Sequence, residues 1–437
     1  MTKFIFCADD FTGASDTLAT VARSGLSARL YLSAPQSEAA ENETGHGSLG
    51  PDLGSLDAFG VATSLRALGV EDGVATISPL AEHLKSPACN LYHFKVCSTF
   101  DSSPTTGNIA TIADHYAKAV GAPWKAIIGG QPSLRRFCLL GNLFAGAGDG
   151  KIYRIDRHPV MAKHPVTPMD EADLCRHLAK QGWTNVGLID FTIIRKGRVT
   201  LVNEIRRRIA SGETETLFDV TEATDLLTIG EALGEITADM PVLCVGASSV
   251  AQAMFPSFET ANDPTPKPSR REGPVFAFAG SRSSLTSDQV AHAKAYEKRN
   301  VRPTDLLDPK ATAKLRDECL SVLASNKNLL VALTDDRDHD IASHDLARAS
   351  ADFISDIANE IALGFLLIAG GDTSSLAVQK LGIDSLSFAA DFDAGAPIIR
   401  AHSTRTILDG MPMLLKGGQM GKPTLFDNIA ALPVKGA

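Results

Sequence analysis

Short apolar runs alternate with amphipathic stretches along most of the chain. Before residue 259, five apolar runs bounded by turn residues predict buried strands over residues 4–8, 91–96, 125–128, 186–189 and 242–245. The stretches between them have the spacing of helices, which are predicted over residues 13–24, 108–120 and 171–181. Strands that alternate with helices in this way are typical of an α/β fold, in which a mainly parallel sheet is flanked by helices.

Two polar stretches interrupt this alternation. Residues 33–55 are rich in Ser, Glu, Gly and Asn, which predicts a surface excursion. Residues 259–273 (ETANDPTPKPSRREG) hold three prolines and many charges, cannot build a core, and are the best candidate for an interdomain linker. The alternation then resumes, with strands predicted over residues 275–279, 329–333, 365–369 and 411–415 and helices over residues 287–298, 346–363 and after Gly370.

The length of the chain bears on its domain organisation, because 437 residues are many for one hydrophobic core. We predict two α/β domains, each with a mainly parallel sheet flanked by helices. The first spans residues 1–258, residues 259–273 are the linker, and residues 274–437 form the second domain.

Composition and charge narrow the function classes. A net charge of −9 without a dense basic stripe argues against nucleic-acid binding and against docking on an anionic membrane. No apolar run approaches the length of a membrane span, and the chain reaches Asp9 and Asp10 too soon for a signal peptide. The seven cysteines form no CxxC pair, which favours free thiols over structural zinc. We expect a cytoplasmic protein, and the sequence is compatible with a homo-oligomer.

An acidic turn, ADDFTGASD, follows the first predicted strand. Because ligands of open α/β sheets bind at the carboxyl ends of strands, Asp9, Asp10 and Thr12 are candidates for substrate contacts. A carboxylate there can accept the proton of a substrate hydroxyl, and N–H groups at the start of the next helix can receive an anion. The simpler interpretation is that Asp10 or Thr12 only caps this helix. Asp16, one turn later, exceeds what capping requires and favours a functional site.

Two further segments offer contacts for a polar anion. The segment KVCSTFDSSP combines Lys95 with Ser98, Asp101 and several hydroxyls, which suits a polyol acid, although its side chains could instead bond only their own loop. The segment 154–169 (RIDRHPVMAKHPVTPM) is the densest cationic stretch, and its Arg157 and His158 are candidates for binding a carboxylate or phosphate. The alternative is a solvated patch. A metal site is not indicated, because no cysteine or glutamate accompanies the histidines.

Three glycine-rich turns mark the second domain, each after a predicted strand: AGSRS with Ser281, AGGDTSS with Gly370 to Thr373, and LKGGQMG with Gly418. Glycine lets backbone N–H groups approach phosphate oxygens, and a following helix adds partial positive charge. One such turn is common, but three in one domain indicate a nucleotide site. Neither a GxxxxGK[ST] loop nor a GxGxxG fingerprint after the first strand of either domain is present.

Taken in order, these motifs resemble those of the four-carbon acid sugar kinase family, once catalogued as a domain of unknown function. The resemblance covers essentially the whole chain. It implies a sugar-acid-binding N-terminal domain, a nucleotide-binding C-terminal domain and an active site in the cleft between them. It also implies that ATP, with Mg²⁺, phosphorylates a hydroxyl of an acid such as threonate, erythronate or 3-oxo-tetronate. The residues matching the family's substrate motifs are Asp9, Asp10, Thr12, Lys95 and Ser98, and those matching its ATP-binding turns are Ser281, Gly370, Gly371, Asp372, Thr373 and Gly418.

The second substrate motif departs from the pattern Lys-x-Asp-Ser-Thr-x-Arg-Gly that many members carry. Cys97 stands at the Asp position and Asp101 at the Arg position, and the exchange of that Arg for Asp alone changes the local charge by about two units. Arg157 or Arg135 is expected to compensate. This variant resembles a branch of the family whose substrate is branched, such as 3-oxo-isoapionate.

The expected chemistry is transfer of the γ-phosphoryl group, which requires positioning, charge neutralisation and an acceptor for the hydroxyl proton. Asp10 is the predicted acceptor, with Asp9 as the alternative, and Asp372 is a candidate ligand for Mg²⁺. A non-catalytic sugar-acid sensor would also explain the acidic turn, but it leaves the glycine-rich domain without a role. A dehydrogenase is disfavoured by the missing dinucleotide fingerprint.

Overall fold

The computed structural model describes residues 3–34, 55–164, 166–256, 272–334, 341–393, 395–418 and 420–433. Nearly all of the predicted surface excursion at 33–55 and of the predicted linker at 259–273 lies outside these residues. By its internal contacts, the described chain divides into an N-terminal unit that ends by residue 256 and a C-terminal unit that begins at residue 272.

The N-terminal unit is built on an eight-stranded sheet in which every pair of neighbours is parallel, in the order β2-β3-β1-β4-β11-β5-β10-β9. Its strands are β1 (Phe4–Ala8), β2 (Ala28–Tyr31), β3 (Ala58–Ala62), β4 (Leu91–Lys95), β5 (Trp124–Ile128), β9 (Gly187–Ile189), β10 (Glu215–Phe218) and β11 (Val242–Gly246). The central strands are buried along their whole length, as expected when helices cover both faces. The five strands predicted in this part of the chain are confirmed.

The helices of this unit are α1 (Phe11–Arg23), α2 (Val70–Leu84), α3 (Ile109–Val120), α4 (Leu174–Ala179), α5 (Phe191–Ile194), α6 (Arg198–Ala210), α7 (Ala223–Asp239) and α8 (Ser249–Met254). The helix predicted over residues 171–181 is shorter than expected. Asp173 caps it by accepting hydrogen bonds from the N–H groups of Cys175 and Arg176, so it starts only at Leu174.

A small antiparallel sheet in the same unit was not predicted. It consists of β6 (Arg136–Leu139), β7 (Asn142–Gly146) and β8 (Ile152–Arg154). The two residues that join β6 to β7, Leu140 and Gly141, both have positive φ angles, which suits a tight hairpin turn. A leucine in that conformation is unusual, so the sequence carries no ordinary turn signal at this point.

The C-terminal unit has a seven-stranded sheet in the order β13-β14-β12-β15-β18-β17-β16. The strands are β12 (Val275–Ala279), β13 (Glu297–Val301), β14 (Leu329–Leu333), β15 (Phe365–Ala369), β16 (Ser385–Asp393), β17 (Ala396–His402) and β18 (Pro412–Lys416). The first five strands in this order pair in parallel, and β17 pairs antiparallel with both β18 and β16. The α/β class with mainly parallel sheets is therefore confirmed.

The helices of the C-terminal unit are α9 (Ser284–His292), α10 (Pro303–Leu307), α11 (Pro309–Ala324), α12 (Ser343–Glu360), α13 (Gly371–Leu381) and α14 (Leu425–Ala430). The helix predicted over residues 287–298 is wrong in its second half, where β13 begins at Glu297. This strand lies at the sheet edge and exposes most of its charged side chains, so it lacks the apolar signal of a buried strand. In the described part of the chain, no helix is long and apolar enough to cross a membrane.

Candidate active site

The strand order of the N-terminal unit places a ligand site beside β1 and β4. Helix α1 leads from β1 towards β2 on one side of the sheet, whereas α3 leads from β4 towards β5 on the other side. The connections therefore diverge between these two neighbouring strands, and such a switch point opens a crevice at their carboxyl ends. The acidic turn follows β1 here, and the second substrate motif follows β4.

The acidic turn forms a compact charged cluster at this switch point. Asp10 is the N-cap of α1, and its Oδ1 accepts a hydrogen bond from the Gly13 N–H at 3.0 Å. Arg66 donates to both carboxylate oxygens of Asp9, at 3.1 and 2.7 Å, and its Nη2 lies 3.0 Å from Asp10 Oδ1. The Lys95 Nζ lies 3.9 Å from the same Asp10 oxygen. The structure thus brings together Asp9, Asp10 and Lys95, as the motifs predict.

Capping and a functional site are not alternatives at Asp10. Its Oδ1 caps α1 and also lies beside two cationic groups, a combination that capping does not need. Thr12, in the first turn of α1, is buried, and its hydroxyl has no hydrogen-bond partner among the described residues. A buried hydroxyl without a partner is costly, so a ligand that bonds to it would recover that free energy.

Arg66 is a residue of this cluster that the sequence reasoning missed. It lies on a short 3₁₀ turn, Leu65–Ala67, after β3, and its N–H bonds to the Asp9 carbonyl at 3.1 Å. Burial raises the pKa of Asp9, and the charge of Arg66 opposes that rise. Burial alone would lower the pKa of Arg66, but Asp10 and Asp9 hold it well above its ordinary value. A single arginine in a loop far from the motif in sequence carries no recognisable signal.

The second motif contributes a buried chain of hydrogen bonds. Cys97 Sγ lies 2.9 Å from Thr99 Oγ1, which donates to Asp101 Oδ1 at 2.5 Å. Burial would raise the pKa of Asp101, but Arg66 and these hydrogen bonds hold it below its usual range. Burial and the neighbouring Asp101 raise the pKa of Cys97 to about 11, so its thiol is protonated at neutral pH. Ser98 is half-buried beside this chain.

The cationic segment after β8 is partly bound within its own loop. Arg154 pairs with Asp156, so its charge is already neutralised. The buried ring of His158 accepts hydrogen bonds from two N–H groups of its own loop, at Val160 and Met161. Arg157 lies exposed on the 3₁₀ turn Ile155–Arg157. These contacts give His158 a role in shaping the loop, whereas no ion pair is formed by Arg157 or Lys163 with the described residues.

The sheet of the C-terminal unit also has a switch point in its strand order. Helix α9 leads from β12 towards β13 at one end of the strand order, whereas α13 leads from β15 towards β16 at the other end, so the switch point lies between β12 and β15. The turns after these strands meet there, because the N–H groups of Gly280 and Ser281 both donate to the Ala369 carbonyl at 2.9 Å. The Gly370 N–H donates to the Lys416 carbonyl at 2.9 Å, which joins the third turn to the second. All three glycine-rich turns predicted from the sequence therefore converge.

Glycine is required in these turns by close approach. A Cβ on Gly280 would come within 2.6 Å of the Thr373 hydroxyl, and one on Gly418 within 2.5 Å of the Ser281 hydroxyl. Gly370 has a φ of 141°, which L side chains rarely adopt. The result is a cradle of backbone and hydroxyl groups in front of the first turns of α9 and α13, the geometry that receives phosphate groups.

Lys416, the last residue of β18, is a second functional candidate that the sequence reasoning missed. Its side chain is fully buried, and its Nζ donates to Thr286 Oγ1 at 3.0 Å. Burial lowers the pKa of Lys416 to about 8. No carboxylate lies within ion-pair distance of this ammonium in the described part of the chain. A buried cation behind a glycine-rich turn is what an anionic ligand would neutralise.

Next to the cradle lies a pocket of about 270 Å³ at the carboxyl ends of β12 and β14. Ser281 and Thr286 line it on the side of the glycine-rich turn, and Asn300 and Thr334 contribute polar groups on the other side. Asp372, in the first turn of α13, is exposed. No cluster of three or more metal-binding side chains occurs among the described residues, which does not conflict with Mg²⁺ because that ion often uses only one or two carboxylates together with phosphates.

Comparisons with known proteins agree with this division. Residues 4–254 match a family model described as a sugar-binding N-terminal domain, and residues 276–426 match one described as a nucleotide-binding C-terminal domain. A crystal structure from Salmonella typhimurium LT2 has the same fold, with a TM-score of 0.79 at 22% identity over 98% of this chain and 99% of that one. A Haemophilus influenzae protein aligns with a TM-score of 0.70 at 22% identity over 97% and 98% of the two chains. The class is therefore a two-domain sugar-binding and nucleotide-binding protein.

Curated relatives narrow the class further. The chain is 30% identical to a 3-oxo-isoapionate kinase from Paraburkholderia graminis, over 98% of this chain and 94% of the relative. It is also 30% identical to a 3-oxo-tetronate kinase from Burkholderia multivorans, over 96% and 95% of the two chains. The chain belongs to the four-carbon acid sugar kinase family. The predicted family and the predicted enzyme class, a carbohydrate-acid kinase, are confirmed.

Proposed function

We propose that this enzyme transfers the γ-phosphoryl group of ATP to a hydroxyl of a small 3-oxo sugar acid. The observation that carries the proposal is the convergence of three glycine-rich turns and a buried lysine at one switch point, which forms a phosphate cradle. Branched 3-oxo-isoapionate is the first candidate substrate and 3-oxo-tetronate the second, because the relatives carry these names and Cys97 and Asp101 depart from the common motif. Threonate and erythronate are the remaining candidates.

In the proposed mechanism, ATP binds to the C-terminal unit. The Gly370 N–H holds the turn through its bond to the Lys416 carbonyl, and the backbone N–H groups of Gly371 to Thr373 and the hydroxyl of Ser281 receive the phosphates. Gly418 leaves the phosphates room, and the Lys416 ammonium neutralises part of their charge. Asp372 is the carboxylate that would hold Mg²⁺, and the ion would supply positive charge to offset that of the phosphates. The pocket lined by Asn300 and Thr334 would take the nucleoside.

The sugar acid binds to the N-terminal unit, where the chain supplies both charge and proton transfer. Asp10 accepts the proton of the attacking hydroxyl, because its carboxylate stands at the switch point and is not fully enclosed as Asp9 is. Asp9 and Arg66 hold the turn in place through their paired hydrogen bonds. Lys95, Ser98 and the Thr12 hydroxyl are the proposed contacts to the polar groups of the substrate.

The test is an ATP-consumption assay over linear and branched four- and five-carbon acids and their 3-oxo forms, with Mg²⁺ present. We expect turnover with at least one 3-oxo acid, and formation of a phosphorylated acid confirmed by mass spectrometry. Inactivity across the whole panel would refute the proposal.

A further inference from the structure

The charges of the N-terminal site do not balance once a sugar acid is added. Three carboxylates cluster there, those of Asp9, Asp10 and Asp101, against two cationic side chains, Arg66 and Lys95. The Arg66 guanidinium already donates two hydrogen bonds to Asp9 and forms an ion pair with Asp10. An acid substrate would add a further negative charge, so binding requires a cation that has no carboxylate partner of its own.

Arg135 and Arg157, which were expected from the sequence to supply that cation, are not buried in the site. Arg135 is exposed, with Nη2 bonded to the Gly150 carbonyl at 2.5 Å. Arg154 is neutralised by Asp156, and Arg157 is exposed. The next residue after Arg135 does fit, since Arg136 is a half-buried arginine at the start of β6.

The backbone fixes Arg136 at the same edge of the sheet as the acidic turn. It forms two hydrogen bonds with Gln131, which follows β5, at 2.9 and 3.1 Å. The amide group of Gln131 in turn donates to Asp16 on α1 at 3.4 Å. Arg136 is thus tied, through one residue, to the helix that begins at the acidic turn.

The guanidinium of Arg136 is held in place but not neutralised. Its Nη1 donates to the Leu134 carbonyl at 2.7 Å, whereas its Nε is buried and has no hydrogen-bond partner among the described residues. No carboxylate lies within ion-pair distance of it in the described chain, although the charge of Asp101 acts on it over a longer distance. Burial lowers the pKa of Arg136, and Asp101 offsets that effect only in part.

We propose that Arg136 binds the carboxylate of the sugar acid through its Nε edge and so selects acids over neutral sugars. This inference rests on the proposed function, because it takes the ligand to be a sugar acid. Arginine offers two parallel donors to a carboxylate, and the Nε of Arg136 is a buried donor with no partner among the described residues. Asp101, held ionised, is then available to accept hydrogen bonds from substrate hydroxyls.

The test compares R136Q with the wild type in the full chain, and R135N serves as the matched control. The control removes the same charge one residue away, from an exposed side chain, and asparagine tolerates the left-handed backbone at that position. Calorimetry would measure binding of threonate, erythronate and 3-oxo-tetronate, with threitol as a probe that carries a hydroxymethyl group in place of the carboxylate. We expect R136Q to weaken acid binding by about 10- to 100-fold, to leave threitol binding unchanged, and to match R135N in nucleotide binding.

Two further measurements separate recognition from a structural role. R136K keeps the charge but loses the two parallel donors, so its affinity for the acids should fall between those of R136Q and the wild type. It replaces R136Q as the test variant if R136Q does not fold. Millimolar guanidinium should restore part of the acid binding to R136A. Equal losses for threonate and threitol, or wild-type affinity in R136Q, would overturn the inference, as would failure of the wild type to bind any of the three acids. Acid binding that depends on Arg136 without ATP turnover would instead refute only the proposed function.

Discussion

The buried lysine of the nucleotide cradle supports a sharp prediction about stability. Lys416 is fully buried, its Nζ has one hydrogen bond among the described residues, to Thr286, and burial lowers its pKa from an ordinary 10.5 to about 8. Replacing it with methionine, which has a similar length and no charge, removes the cost of burying an ammonium. We therefore expect Lys416→Met to stabilise the nucleotide-free protein while it weakens nucleotide binding, a trade-off typical of functional sites.

The magnitude follows from proton linkage. At pH 7 both the folded and the unfolded chain hold the proton, and the difference between 10.5 and about 8, at 1.36 kcal/mol per pH unit, is about 3 kcal/mol. Between pH 8 and 10.5 the unfolded lysine keeps a proton that the folded one has released, so wild-type stability rises with pH in this window. The advantage of the methionine variant should therefore shrink to about 1 kcal/mol at pH 9.5.

The assay is urea unfolding of the full chain at pH 7 and pH 9.5. Both tryptophans, Trp124 and Trp183, lie in the N-terminal unit, so far-ultraviolet circular dichroism is the appropriate signal rather than fluorescence. Lys422→Met is the control, because Lys422 is exposed and its removal should change stability by less than about 0.5 kcal/mol. A second measurement is the thermal shift on adding Mg-ATP, which should be smaller in Lys416→Met than in the wild type.

One pair of results would refute this reasoning. If Lys416→Met lowers the free energy of unfolding at pH 7, and the difference from wild type does not change at pH 9.5, the buried ammonium is compensated by interactions other than those with a nucleotide. The lysine would then be structural.

Three further variants test the two sites. Asp10→Asn keeps an N-cap of equal quality, so stability should stay within about 0.5 kcal/mol while kcat falls by roughly 10²- to 10⁴-fold, and near-normal turnover would exclude Asp10 as the proton acceptor. Arg66→Met leaves the Asp9 carboxylate buried without its partner and should lower the free energy of unfolding in urea by about 3 kcal/mol. Adding Asp9→Asn to the same chain should recover part of that stability. Gly418→Ala places a Cβ against a neighbouring serine hydroxyl and should weaken ATP-analogue binding at least about tenfold by calorimetry. Gly417→Ala, whose Cβ makes only an ordinary contact, should leave that binding unchanged, and equal effects of the two variants would argue against the cradle.

The local pattern of the chain determined most of the fold. Buried parallel strands such as β1 and β15 are continuous apolar runs followed by turn residues, and this signal depends only on residues near in sequence. The acidic turn and the three glycine-rich turns were recognisable for the same reason, because each lies within a few residues of a strand end. The edge strand β13 and the hairpin of β6 and β7 were not recognisable, since an exposed charged strand and a leucine with positive φ lack a local signature.

Only the tertiary structure decided which charges face one another. Arg66 and Arg136 are single residues with no motif around them, and Lys416 lies in the LKGGQMG turn without being marked as functional by it. Each gains its importance from burial and from partners distant in sequence. Conversely, part of the cationic segment that composition singled out is bound within its own loop, because Arg154 pairs with Asp156 and His158 accepts backbone hydrogen bonds. Sequence reports the type and spacing of side chains, whereas desolvation and pairing depend on how strands that are far apart in the chain come to lie side by side.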